Sequence, residues 1–195
     1  MRQDERVNDR RPVLGRIHAL DAGGRRIAVP GLSEERLRRS LRRILARNVL
    51  CSIATVTPGN RAHINTAFFS FSKEFELFFL SHPHSLHCRS LATNPSVAIT
   101  VFSSDQDWTD PGRGLQFFGR CHHAEGRYAE TAERVYGQRF PAYRVWKETL
   151  AATSPGRSYR LYRFVVSTLK IHDEREFGGG VFVSATVSRQ RNRSV

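Results

Sequence analysis

The sequence predicts a mainly β protein with flanking helices (α+β), in which six or seven antiparallel strands form one barrel. Three observations support this prediction. From residue 50 onwards, apolar and polar residues alternate in many segments with a period of two, the period of a strand with one buried face. Pro, Gly, Asn and Asp separate these segments, as turn residues do. Helical segments do not alternate regularly with the strands, so a doubly wound parallel sheet is not favoured.

Length and composition indicate one soluble globular domain. The chain has 195 residues, of which 39% are hydrophobic and 25% are charged. No apolar run approaches the roughly 18 residues of a membrane-spanning helix, which argues against a membrane protein. Cys51, Cys88 and Cys121 are too few and too scattered for a disulfide framework or a structural zinc site. We therefore expect reduced thiols and a cytoplasmic location.

The net charge of +13 is concentrated at the two ends of the chain. Residues 1–50 hold thirteen arginines against six acidic residues, and residues 189–195 hold three arginines and no acidic residue. We therefore divide the chain into a basic leader at 1–30, partly disordered or a short hairpin, a barrel domain at 31–188, and a basic tail at 189–195. A basic surface attracts anions or nucleic acid but does not define a fold.

The first 50 residues predict a hairpin and one amphipathic helix. Apolar runs at 13–20 and 25–29 flank the turn residues 21–24. Ser33 is a typical helix N-cap. Four apolar residues then lie on one stripe of the helix: Leu37, Leu41, Ile44 and Leu45. The other face carries six arginines, for which solvation is favoured over nucleic-acid binding because no base-reading pattern accompanies them.

The strands are predicted next, and the second has two different faces. Its even-numbered residues, among them Ile64 and Phe68, are expected to face the core. The odd-numbered residues mix polar and aromatic side chains, as a strand beside a ligand does. The predicted strands are 51–57, 61–72, 75–80, 96–104, 115–124, 157–166, 168–173 and 179–188.

Three more helices and one turn complete the prediction. A short helix spans 85–94, a second contains Tyr128, Ala132, Val135 and Tyr136, and Pro141 opens a third. The acidic segment 173–176 is expected to be a solvated turn.

The densest polar cluster, residues 81–87 (SHPHSLH), lies where a strand ends and a helix begins. A helix N-terminus presents unpaired N–H groups and a partial positive charge, so it favours phosphate. Ser85 can cap the helix or donate its hydroxyl, and His87 adds a donor. The H-x-H-x-x-H spacing also admits a metal, which is less favoured because no carboxylate stands at ligand spacing. A capped helix with solvated histidines is the third alternative.

Other catalytic motifs are not evident in the sequence. It contains no G-x-S-x-G elbow, no Walker loop and no G-x-G-x-x-G after a strand. No pair of carboxylates stands out as a general acid and base. We therefore assign no catalytic residue and no metal ligand.

Four segments in this order resemble the FMN-binding split β-barrel superfamily of pyridoxamine 5′-phosphate oxidase. They are the strand–turn–strand 52–71, the phosphate segment 81–102, the strand RGLQFFGR at 113–120 and the helix end QRFPAY at 138–143. The resemblance covers about residues 35–187 and is greatest to a branch of small, uncharacterised bacterial members.

The resemblance implies a homodimer with FMN in a cleft between the subunits. The implied cofactor-binding residues are His63, Asn65, Thr66, Ala67, Ser81, Ser85, Leu86, His87 and Gln116. Many relatives have Lys where His87 stands, so the phosphate side here carries a group that titrates near neutrality. Phe69, Trp108 and Phe177 are candidates for the substrate wall.

The function implied is a flavin-dependent oxidoreductase that acts on a small molecule. The vitamin B6 oxidase itself is not favoured, because its C-terminal Arg-x-His signature is not evident. The alternative is a protein of the same fold that binds a flavin, a deazaflavin or haem without turnover. Haem-degrading members of the superfamily typically use a histidine near their C-terminus. His172 is the only late histidine here, and the residues around it do not match theirs. A DNA-associated protein using the basic N-terminal helix is less favoured.

Overall fold

The computed structural model describes residues 12–189, which form a nine-stranded antiparallel sheet and five α-helices. The strands are β1 (Val13–Leu20), β2 (Arg26–Ile27), β3 (Leu50–Thr57), β4 (Arg61–Phe71), β5 (Glu76–Ser81), β6 (Ser96–Phe102), β7 (Arg113–His123), β8 (Arg160–Asp173) and β9 (Phe182–Ser188). The helices are α1 (Glu34–Arg47), α2 (Leu86–Thr93), α3 (Arg127–Arg139), α4 (Pro141–Thr149) and α5 (Glu174–Phe177).

Six of these strands close into a barrel in the order β8-β5-β4-β3-β6-β7, with β7 pairing back to β8. This confirms the predicted antiparallel barrel. The long strand β8 explains why the barrel is split. Its first half pairs with β5 and its second half pairs with β9, so β9 and β1 continue the sheet away from the barrel.

The N-terminal hairpin is part of this same sheet. β1 pairs with β2 on one side and with β9 on the other, and Leu14 and Ala19 are buried in the main core. Strands β1 and β2 therefore extend the sheet to which the barrel strands belong. Sequence reasoning missed this because the partner strand β9 lies at the other end of the chain. Disorder in the leader is predicted for residues 1–12, of which 1–11 lie outside the described residues, as do residues 190–195 of the tail predicted at 189–195.

Helix α1 has the predicted cap and the predicted buried stripe. Ser33 accepts a hydrogen bond from the N–H of Arg36, and all four stripe residues are buried. Three of the six arginines on its other face have acidic partners, which corrects the expectation of a solvated face in part. Arg36 and Arg43 pair with Glu176 at 3.0 Å, and Arg38 pairs with Glu34.

The C-terminal strands differ from the prediction in two ways. The segments predicted as separate strands at 157–166 and 168–173 are one continuous strand, β8. The acidic segment is not a solvated turn, because Asp173 is fully buried. Its carboxylate forms an ion pair with Arg43 at 2.6 Å and accepts a hydrogen bond from the hydroxyl of Ser40. Local sequence could not reveal this, since the partners are on α1.

The core has two parts. The larger fills the barrel and includes Phe69, Phe79, Phe117 and Phe164, all fully buried. The smaller lies outside the barrel, where α3 and α4 cover Phe78. Strand β7 bends at a bulge next to Gly119, where a Cβ atom would overlap the carbonyl oxygen of Val165.

The faces of β4 are reversed relative to the prediction. Ile64 and Phe68, expected in the core, are 66% and 54% exposed, whereas Phe69 on the other face is fully buried. Alternation identifies the two faces of a strand but does not say which one points into the barrel. Among residues 12–189, no helix has the length and apolarity required to cross a membrane.

Candidate functional site

Three of the predicted phosphate-site residues lie together at the end of β5 and the start of α2. Nε2 of His87 lies 2.7 Å from Oγ of Ser81 and 3.1 Å from Oγ of Ser85. The two hydroxyls are 3.4 Å apart. Ser85 is the N-cap of α2 and accepts from the N–H of Cys88. Two hydroxyls, an imidazole and the free N–H groups of a helix start form a site suited to an anion.

His87 is half-buried, and this burial lowers the pKa of its imidazole below the ordinary value. The ring is therefore neutral at pH 7 and can donate one hydrogen bond without carrying a charge. His63 on β4 stacks on this ring, with the centroids 6.2 Å apart and an angle of 8° between the planes. This contact places β4 beside the first turn of α2.

The edge of β4 next to this cluster has no strand partner over most of its length. The N–H of Phe69 donates to the carbonyl of Val49, the residue before β3, so odd-numbered residues direct their backbone groups to β3 and even-numbered residues to the opposite edge. On that edge β5 pairs only with residues 69–71. Within the described chain, the backbone N–H and C=O of Ile64 and Thr66 therefore face an open edge where a ligand can bond.

The side chains predicted on β4 divide between its two faces. Asn65 lies on the inward face, and its Oδ1 atom is buried without a hydrogen-bond partner. Ala67 packs against the core on the same face, whereas Thr66 lies exposed on the outer face. Leu86 is exposed at the start of α2. Thus His63 joins the serine–histidine cluster, and Thr66 does not share its face.

Gln116 lies on the outer face of the barrel, far from the cluster along the sheet. Residues of successive strands form one polar row there: Thr66, Ser52, Thr100, Gln116, Lys170 and Ser184. Three strand spacings of about 4.8 Å place Gln116 about 14 Å from Thr66 along the sheet. One chain therefore does not bring Gln116 to the edge of β4.

Gln116 instead lines a cavity of about 680 Å³, together with Trp108, Lys170, His172 and Glu174. Trp108 is 99% exposed on the loop between β6 and β7. Glu174 binds this loop through the N–H of Gly112 at 2.8 Å. Sequence reasoning missed this cavity, although Lys170 and His172, two residues apart on one strand, are the signal that could have indicated it.

Two of the three substrate-wall candidates are corrected by the structure. Phe69 lies in the barrel interior, and Phe177 is buried beneath the guanidinium of Arg36. Neither can line an open site. Trp108 remains accessible. As for metals, residues 12–189 contain no group of three or more histidine, cysteine and acidic side chains placed to hold an ion.

These features define a class of protein: a six-stranded split barrel with a serine–histidine cluster at a helix start, beside the open edge of one strand. The chain belongs to the pyridoxamine 5′-phosphate oxidase family, since the family model described by that name matches residues 37–170. No curated protein matches the sequence significantly.

Solved structures share the fold at low sequence identity. A haem-binding protein from Mycobacterium smegmatis superposes with a TM-score of 0.62 and 17% identity, over 81% of this chain and 60% of that one. HutZ, the haem storage protein from Vibrio cholerae, gives a TM-score of 0.53 and 20% identity, over 75% of this chain and 93% of that one. General Stress Protein 26 from Bacillus anthracis gives a TM-score of 0.51 and 15% identity, over 70% and 93%. At these identities the similarity establishes the fold alone.

Proposed function

We propose that the protein is a flavin-dependent oxidoreductase that binds FMN in a cleft of a homodimer and acts on a small molecule. The observation that carries the proposal is the cluster of Ser81, Ser85 and His87 at the start of α2, beside the open edge of β4. A phosphate ester fits the cluster, and a flat ring with amide-like edges fits a strand edge with free N–H and C=O groups.

The residues present fit FMN on two further counts. The buried Oδ1 atom of Asn65 has no partner and can accept a hydrogen bond from a ligand. His87 can donate to phosphate while neutral and more strongly when charged. A bound flavin would supply the hydride or electron chemistry, and the protein would supply binding and orientation.

The homodimer is proposed because one row of residues on the outer face of the barrel is apolar and partly exposed. Ile64, Ala54, Ala98 and Phe118 pair across four strands and form an apolar row beside the polar row of Gln116. Single exposed apolar residues are ordinary, but a contiguous apolar row typically marks an interface. A second copy on this face would bring its Gln116 towards the cleft, since one chain keeps Gln116 and Thr66 apart.

Haem binding without turnover is the second candidate, favoured by the geometry of His172. Its Nδ1 atom lies 2.9 Å from the carbonyl oxygen of Val181, and since a carbonyl only accepts, Nδ1 carries the hydrogen. Nε2 lies on the wall of the 680 Å³ cavity, 3.5 Å from Oε1 of Glu174, and would be the atom that binds the haem iron. Phe182 stacks on the ring at 4.8 Å. Haem-binding proteins also occur among the structures of this fold.

The absorption spectrum of the purified protein, reconstituted separately with FMN and with haemin, distinguishes these functions. The proposal expects the two visible bands of an oxidised flavin to remain with the protein after gel filtration. The opposite result is a Soret band that the native chain retains and His172→Ala loses, while no flavin is retained. That result would favour haem binding over the flavin-dependent oxidoreductase.

A further inference from the structure

A groove of about 570 Å³ lies on the outside of the barrel, between β4, β5 and the helices α3 and α4. Six aromatic side chains form most of its wall: Phe68, Tyr136, Phe140, Tyr143, Trp146 and Tyr159. Its volume is in the range of small-molecule sites, about 300–1,000 Å³.

The aromatic rings form a continuous series whose two ends are close in sequence to residues of the proposed cofactor site. Phe68 is two residues from Thr66 on β4, and the series ends at His82, which follows Ser81. Neighbouring centroids are separated by 5.7 Å for Phe68–Phe140, 4.9 Å for Phe140–Tyr136, 4.9 Å for Tyr136–Tyr143, 5.9 Å for Tyr143–Trp146, 6.2 Å for Trp146–Tyr159 and 5.5 Å for Tyr159–His82. The groove is therefore connected through the contact of Tyr159 with His82 to the segment that holds Ser81.

The groove carries no charge. None of the described residues that line it is acidic or basic. Two arginines near the groove direct their guanidinium groups to backbone carbonyls: Arg139 donates to Leu45 and Asn48, and Arg157 donates to Leu150 and Ala151. A phosphorylated ligand would find no cation among the described residues that line the groove, and burying its charge without one is costly.

We infer that this groove binds an uncharged, planar aromatic compound and that compounds of this class are the substrates of the proposed flavin site. The assignment as substrate rests on the proposed function. Trp146 and Tyr159 stand perpendicular to each other, and both are partly exposed to solvent. Offset and perpendicular ring contacts at these separations favour a flat aromatic ligand, which would also cover exposed apolar surface.

Calorimetric titration of the full-length protein with 2-naphthol tests the inference. Trp146→Ala removes one wall, and Ala142→Glu places a carboxylate on the groove at the exposed start of α4, where an acidic residue is favourable for the helix. Each variant should weaken 2-naphthol binding by about tenfold or more. Val145→Ala, an exposed neighbour on α4 outside the groove, should change it less than about twofold. Pyridoxine 5′-phosphate should not compete.

FMN titration of the same variants separates this inference from the proposed function. Unchanged FMN affinity together with weakened 2-naphthol binding supports a substrate groove beside an intact cofactor site. If the native chain binds 2-naphthol in the groove but no FMN, the role as substrate site is overturned together with the proposed function, and an aromatic binding groove stands. Any of three results would overturn the inference. The first is that the native chain binds no 2-naphthol, the second is that both groove variants bind it as tightly as the native chain does, and the third is that pyridoxine 5′-phosphate competes with it.

Discussion

His87 determines how the proposed site responds to pH. In the free protein its pKa is lowered by burial, so the ring is neutral near pH 7. A phosphate dianion next to the ring stabilises the imidazolium and raises its pKa in the complex. Binding therefore takes up a proton wherever the pH lies between the two pKa values. The contribution of the imidazolium to affinity is fully present below the lower pKa and is lost as pH rises through the higher one.

We expect FMN affinity to fall by several-fold between about pH 5 and pH 8 because of this titration. The phosphate group itself gains charge over this range, which acts in the opposite direction, so a matched variant is needed. His87→Lys keeps its charge throughout and should bind FMN more tightly at pH 8. Flavin fluorescence titrations at each pH measure both proteins. Identical pH profiles would show that His87 does not contact the phosphate.

Asp173 is the residue on which the contact between α1 and the end of β8 depends. Its carboxylate is fully buried and is neutralised by Arg43. In Arg43→Ala, the buried carboxylate keeps only two partners among the described residues, the hydroxyl of Ser40 and the guanidinium of Arg113 at 4.0 Å. Because the Arg43 side chain is partly exposed, we expect a loss of about 2–3 kcal/mol in the free energy of unfolding, below the usual cost of breaking a buried pair.

Urea unfolding measures this loss, with Arg42→Ala on the exposed side of the same helix as the control. The control should stay within about 0.5 kcal/mol of the native chain. Equal losses in the two variants would mean that the ion pair adds nothing beyond helix propensity.

At the scale of elements, the sequence predicts the helices and strands that are specified by residues close together in the chain. Helices α1 and α2 begin at the predicted caps, Ser33 and Ser85, because a cap and its first turn are neighbours in sequence. The serine–histidine cluster is predictable for the same reason, since Ser81 to His87 span one strand end and one helix start. The face of β4 and the burial of Asp173 are not predictable in this way, because each depends on partners far along the chain.

The outer face of β4 gives the element-scale prediction. If a second copy covers Ile64, then Ile64→Asp places a charge in an apolar interface and should shift the protein from dimer to monomer at micromolar concentration. Light scattering measures the mass. Val145→Asp is the control, since Val145 is similarly exposed, at 61%, but lies on α4. A native chain that is already monomeric would contradict both the dimer and the shared cleft.

At the scale of the whole molecule, the site proposed here is distributed over two surfaces of one chain. The anion cluster lies at the start of α2, and Gln116 lies on the outer face of the barrel beside the cavity of His172. The family resemblance assigns the cluster residues and Gln116 to one cofactor site, but the register of the sheet places them on different surfaces of one chain. The aromatic groove is likewise invisible to the sequence, since its rings come from β4, α3, α4 and the segment before β8.

The central claim is that FMN binds with its phosphate at Ser85 and His87. Titration of FMN into the native chain and into the double variant Ser85→Ala/His87→Ala, followed by flavin fluorescence, tests it most directly. Losing two such hydrogen bonds costs about 2–5 kcal/mol, so the double variant should bind about 30-fold more weakly or worse. His84→Ala, an exposed histidine of the same segment, should bind as the native chain does. If circular dichroism finds the double variant folded and its FMN affinity is unchanged, the claim is contradicted.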